Sequence, residues 1–168
     1  GSVYFLSRPR RFGKSLLVST LQAIFEGKRD LFAGLWLAEQ TDYGFESYHV
    51  LKIDMSQVQV ENPDQLKNYL LVQVNQWAKQ SDIDLEHRTY IGRFGELIQK
   101  LGQDRRVVIL IDEYDKPILD HLTKPTRDDI KDTLKGFYTT IKASDPYLRF
   151  VLLTGVTGAL RRYILQRG

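Results

Sequence analysis

Five consecutive apolar residues, Val107-Val108-Ile109-Leu110-Ile111, do most to limit what this chain can become. A strand that alternates apolar and polar residues can keep one face in water. A continuous β-branched run cannot, so this segment predicts a central strand covered on both faces. Asp112-Glu113 follows it directly, placing two carboxylates at its carboxyl end.

The rest of the chain supplies neighbours for such a strand. Val3-Tyr4-Phe5-Leu6, Val50-Leu51 with Ile53, and Phe150-Val151-Leu152-Leu153 read as three further strands. Between them lie helical patterns. Leu17, Leu21 and Ile24 recur on one face of a first helix, with Gly27-Lys28-Arg29-Asp30 as its stop and Leu31 to Leu37 as a connector. Asn62-Pro63, with Gln65 three residues after Asn62, predicts a capped second helix striped by Leu66, Leu70, Val74 and Trp77. Tyr90, Phe94, Leu97, Ile98 and Leu101 predict a third helix, stopped by Gly102. Pro125-Thr126 opens a fourth, with Ile130, Leu134, Phe137, Tyr138 and Ile141. Strands alternating with helices in this order predict an α/β fold: a mainly parallel sheet between helical layers, with ligands at the carboxyl ends of the strands.

At that edge the first strand runs into Ser7-Arg8-Pro9-Arg10-Arg11-Phe12-Gly13-Lys14-Ser15 and then into a helix. In a phosphate-binding loop a Gly lets the backbone approach the anion, a Lys reaches the outer phosphates, and a Ser or Thr hydroxyl faces Mg²⁺. Gly13, Lys14 and Ser15 meet these requirements, and the helix start adds free N–H groups and its dipole. The general pattern wants a further Gly where this chain has Arg8, so a strict motif search would miss it. The plainer reading is a solvated basic turn before an ordinary helix.

Asp112 suits a hydrated Mg²⁺ and Glu113 the activation of an attacking water, although taken alone the pair reads more plainly as two acids capping the end of a strand. Thr154, with Thr157 in reserve, stands at the same edge and reads either as the group that orients that water or as part of an ordinary turn. Arg161 and Arg162 read either as an exposed helix face or as an arginine finger.

At 168 residues and 42% apolar content the chain (1–168) reads as one domain with a proper core. It has no Cys, and His49, His87 and His121 form no ligand spacing. A reducing, cytoplasmic setting is the expectation, with no leader or membrane-crossing run. Residues 1–16 carry four basic side chains and no acid, and residues 149–168 carry four Arg and no acid, which leaves 16 basic against 21 acidic side chains in 17–148. Basic ends favour anions. A nucleic-acid-binding domain would rest on that charge alone, and a small-molecule kinase would need an acceptor pocket that no stretch suggests.

The string Tyr4-Phe5-Leu6-Ser7-Arg8-Pro9-Arg10-Arg11-Phe12-Gly13-Lys14-Ser15, with Ile109-Leu110-Ile111-Asp112-Glu113-Tyr114-Asp115-Lys116-Pro117-Ile118, resembles the bacterial and archaeal AAA-ATPase-like family of predicted P-loop ATPases. Arg-Pro-Arg-Arg-Phe-Gly-Lys-Ser is that family's own variant of the phosphate loop. The resemblance implies a three-layer αβα P-loop NTPase of the additional-catalytic-Glu type, with the Thr154 strand between the first strand and the Asp112 strand. It also implies that ATP and Mg²⁺ are the ligands. Arg8, Pro9, Arg10, Arg11, Phe12, Gly13, Lys14, Ser15 and Leu16 would cradle the nucleotide, and Ser15 and Asp112 would serve the metal. Glu113 would be the catalytic acid and Thr154 the sensor. Members commonly continue into a nuclease-like domain of the PD-(D/E)XK type; a fifth strand and any lid are expected beyond Gly168, so residues 1–168 read as the N-terminal P-loop ATPase core of a longer protein. The partners so implied are that domain or nucleic acid in the full-length protein, and a second copy of the chain. A nucleotide-gated module that does not hydrolyse is the alternative.

Overall fold

Strands β1 (Val3–Ser7), β2 (His49–Asp54), β3 (Val107–Asp112) and β4 (Leu148–Gly155) pair in parallel in the order β1-β4-β3-β2. The structure is a computed structural model that describes residues 3–7 and 13–156. The order places β4 between β1 and β3, as the family resemblance implies, and all six residues of β3 are buried.

Alternation along β3 explains the two layers. Val108 and Leu110 pack with Leu152 of β4 against Val18 and Phe25 of helix α1 (Lys14–Phe25). Ile109 and Ile111 point the other way, joining Leu51, Ile53, Val151 and Leu153. That second face is covered by α3 (Pro63–Gln80), α4 (Tyr90–Asp104) and α6 (Arg127–Ala143). The rings of Phe94 and Phe137 stack there with centroids 4.1 Å apart. Between α1 and β2, a 3₁₀ turn (Arg29–Phe32) and the short helix α2 (Trp36–Glu39) hold Phe32, Ala38 and Phe45 against Ile24. A second short helix, α5 (Lys116–Leu119), precedes α6.

The expected helix starts and stops are mostly met. Asn62 Oδ1 accepts the Gln65 N–H at 2.9 Å, and Gln65 Oε1 reaches back to the Glu61 N–H at 2.9 Å. Gly27, at φ +79°, ends α1.

Two expectations are corrected. The buried face of α1 runs through Lys14, Val18 and Phe25, while Leu17 is exposed and Leu21 and Ile24 are half-buried. The helix is phased by turning Lys14 and Ser15 toward the sheet edge, and Val18 and Phe25 follow at i+4 and i+11 from Lys14. Gly102 does not stop α4, which continues to Asp104. A Cβ there would stand 2.7 Å from Cβ and 2.8 Å from Cδ1 of Tyr147, so this glycine serves close packing rather than termination.

Candidate functional site

Glycine is required at position 13 by conformation. Gly13 has φ +79° with nothing among the described residues within 4 Å of where a Cβ would lie, and its carbonyl accepts the first α1 bond from Leu17 N–H at 2.9 Å. No side chain caps the first turn of α1 among the described residues, which leaves its leading N–H groups for an anion. Leu16 is 73% exposed, so what it offers such a site is its main-chain N–H.

From that turn two side chains enter the sheet edge. Lys14, buried to 5% exposure, donates from Nζ to the Gly155 carbonyl at 3.0 Å. The Ser15 hydroxyl donates to Asp112 Oδ2 at 2.8 Å. These contacts join residues far apart in the chain because β3 and β4 both end beneath the start of α1.

Asp112 is the hub. Its second oxygen, Oδ1, accepts from the Thr154 hydroxyl, and the Thr154 Oγ1 accepts the Glu113 N–H at 3.0 Å. Thr154 is completely buried, and its hydroxyl is committed to these two neighbours. Glu113 adopts φ +54°, unusual for a residue with a side chain and a strain of about 1–3 kcal/mol that its surroundings must hold. They do so through Thr154 on one side and the Lys116 N–H, donated to the Glu113 carbonyl at 3.1 Å, on the other. The turn takes Glu113 out of the strand and leaves it half-buried beside Asp112.

The structure thus brings together Gly13, Lys14, Ser15, Asp112, Glu113 and Thr154. Arg8, Pro9, Arg10, Arg11, Phe12, Thr157, Arg161 and Arg162 lie outside the described residues.

Sequence reasoning gave no role to Tyr114, Asp115 or Asp54. Tyr114 is wholly buried, its hydroxyl donating to the Leu134 carbonyl of α6 and its N–H to the Thr154 carbonyl at 2.9 Å. Burial pushes its phenol well above the usual tyrosine range, so it stays protonated and acts as a peg for the turn after Asp112. Asp115 is also fully buried, with its carboxylate on the Val156 N–H. Asp54 ends β2 in register with Asp112, exposed, with Oδ1 accepting the Ser56 N–H at 2.9 Å. The signal for the first two was position: each falls within three residues of Asp112, inside a turn that must be held.

Among the described residues no three His, Cys, Asp or Glu side chains cluster to cage a metal, and no helix is long and apolar enough to cross a membrane. A groove of about 400 Å³, lined by Val3, Tyr138, Ile141 and Leu148 among others, lies at the amino ends of β1 and β4, the edge opposite this cluster.

A family model described as predicted AAA-ATPase matches residues 1–164. A protein of Azotobacter chroococcum mcd 1, described as an uncharacterized protein in the vnfD 5′ region, is 41% identical over 162 residues, covering 94% of this chain and 31% of the relative. The chain therefore spans about a third of the length of the curated relative it matches. No solved structure matches the chain.

Proposed function

The chain belongs to the AAA-ATPase-like family of predicted AAA-ATPases, and from that premise we propose that the cluster around Lys14 and Asp112 binds Mg·ATP and hydrolyses it. The observation that carries the reading is the 2.8 Å contact between the Ser15 hydroxyl and Asp112 Oδ2, beside a buried lysine and below a helix start that no described side chain caps.

The donor set fits Mg²⁺. A hydroxyl and a carboxylate are hard oxygen ligands, and this ion takes one or two from protein and the rest from water and phosphates, so a full acidic cage is not needed. Ser15 and Asp112 would hold it, and when bound it would neutralise charge on the phosphate oxygens.

The chain's own groups then have distinct tasks. Lys14 and the first N–H groups of α1 bind the outer phosphates, and Arg8, Pro9, Arg10, Arg11, Phe12 and Gly13 complete the cradle. Glu113 accepts the proton of the water that attacks the γ-phosphorus, giving ADP and phosphate. Thr154 keeps Asp112 and Glu113 in register with each other, so its sensing of the γ-phosphate runs through those two acids. Turnover drives a change in an attached domain or partner, which in the full-length protein is a nuclease-like domain, nucleic acid or a second copy of the chain.

The test is phosphate release from Mg·ATP by the unaltered chain and by Glu113→Gln. Loss of a general base lowers turnover by about 10²–10⁴-fold while binding is kept. Equal rates in the two proteins would contradict the role of Glu113.

A further inference from the structure

Gly155 and Val156 share one peptide unit, and charged side chains grip both of its polar atoms. Its oxygen accepts from Lys14 Nζ at 3.0 Å, and its N–H donates to Asp115, at 3.1 Å to Oδ2 and 3.4 Å to Oδ1. An ammonium on the oxygen and a carboxylate on the N–H both polarise the amide in the same sense, so each bond strengthens the other. Asp115 approaches so closely that a Cβ on residue 155 would stand 2.8 Å from Oδ2. Gly155 is not among the positive-φ residues. Glycine is there to admit the carboxylate. Asp115 and Gly155 therefore form one device next to Lys14, and neither has a part in the hydrolysis described above.

We infer that this peptide passes nucleotide occupancy from Lys14 to Val156 at the end of β4, with Asp115 as the positioning residue that holds it; the inference rests on the nucleotide reading of Lys14. Without phosphate the Lys14 ammonium is satisfied by a neutral carbonyl. Phosphate oxygens are anionic and outcompete that carbonyl for the same donor. The Gly155 oxygen then loses its charged donor in a buried setting, where giving up a charge-assisted bond is unfavourable. The peptide turns to find another donor and draws Val156 with it, against the hold of Asp115. Nucleotide binding is thereby read at the carboxyl end of β4, a strand that pairs on both sides, with β1 and with β3.

The sequence provides a clean reporter, because residues 155 and 156 are its single Gly-Val step. A sample carrying ¹³C carbonyl label in glycine and ¹⁵N label in valine gives one carbonyl–amide correlation, that of this peptide. Adding Mg²⁺ with a non-hydrolysable ATP analogue should move the carbonyl resonance upfield as Lys14 leaves. In Lys14→Ala the resonance should start upfield and stay there. In Asp115→Asn the carbonyl should still respond, with the Val156 amide proton shifted upfield from its unaltered position. Melting temperature, recorded on the same samples, reports binding independently. A rise in melting temperature with an unmoved resonance would overturn the inference and leave the nucleotide site standing. No rise would overturn the nucleotide reading, and the inference with it.

Discussion

Removing one hydroxyl from the centre of the site tests whether the contacts around Asp112 are energetically real. In Thr154→Val the side-chain volume is kept while Asp112 Oδ1 and the Glu113 N–H each lose a partner. Thr154 is wholly buried and Asp112 is 3% exposed, so water does not replace the hydroxyl at the carboxylate. A hydrogen bond to a charged group contributes about 1.5–3 kcal/mol, and an orphaned N–H on the half-buried Glu113 costs about 1 kcal/mol. The extra methyl returns roughly 0.8 kcal/mol of apolar burial. The net loss is therefore about 2–3 kcal/mol, or a fall in Tm of roughly 4–12 °C for a domain of this size. Thr154→Ser keeps the hydroxyl and loses a methyl, which costs about 1 kcal/mol. Urea denaturation of both variants, repeated in an Asp112→Ala background, isolates the hydroxyl–carboxylate coupling in a double-mutant cycle. Thr154→Val as stable as Thr154→Ser, or a cycle that closes with no coupling, would refute the reasoning.

Two further outcomes concern the scaffold. Alanine normally favours a helix interior over glycine by about 1 kcal/mol, yet Gly102→Ala should destabilise by about 1–3 kcal/mol because its Cβ meets Tyr147; in a Tyr147→Gly background the sign should reverse, as read by thermal melting. Glu96 is held down to about 2 by the main-chain N–H of His87, then that of Glu86, and by the Lys100 ammonium. Its folded value lies below the unfolded one, so its contribution is full above pH 4.5 and is lost as pH falls toward 2. Glu96→Gln should therefore be less stable than the unaltered chain at pH 7, with the gap closing across that window in urea titrations. A gap independent of pH would contradict the assignment.

How far the sequence could be read depended on whether a feature was local. The apolar run of β3 and the position of Asp112 at its end needed no partner to be recognised, and neither did the Asn62 cap. The phase of α1 was ambiguous, because residues 17, 21 and 24 and residues 18, 21 and 25 both satisfy helical spacing. What decides between them is that Lys14 and Ser15 must face β3 and β4, a tertiary fact. Gly102 was misread because glycine serves equally to end a helix and to admit a ring. The place of β4 between β1 and β3 came from family resemblance and not from residue patterns. The grip of Asp115 on the Gly155–Val156 peptide joins residues about 40 positions apart across β3 and β4, and periodicity along one strand carries no information about it.

The central claim is that Lys14 and its neighbours form a nucleotide site, and thermal melting with and without Mg·ATP, for the unaltered chain and Lys14→Ala, tests it most directly. At about a hundred times its dissociation constant a ligand stabilises the fold by ~2.7 kcal/mol, a rise of roughly 5–10 °C here. The account predicts that rise in the unaltered chain and its loss in Lys14→Ala. No shift at millimolar Mg·ATP, or an equal shift in both proteins, would contradict it.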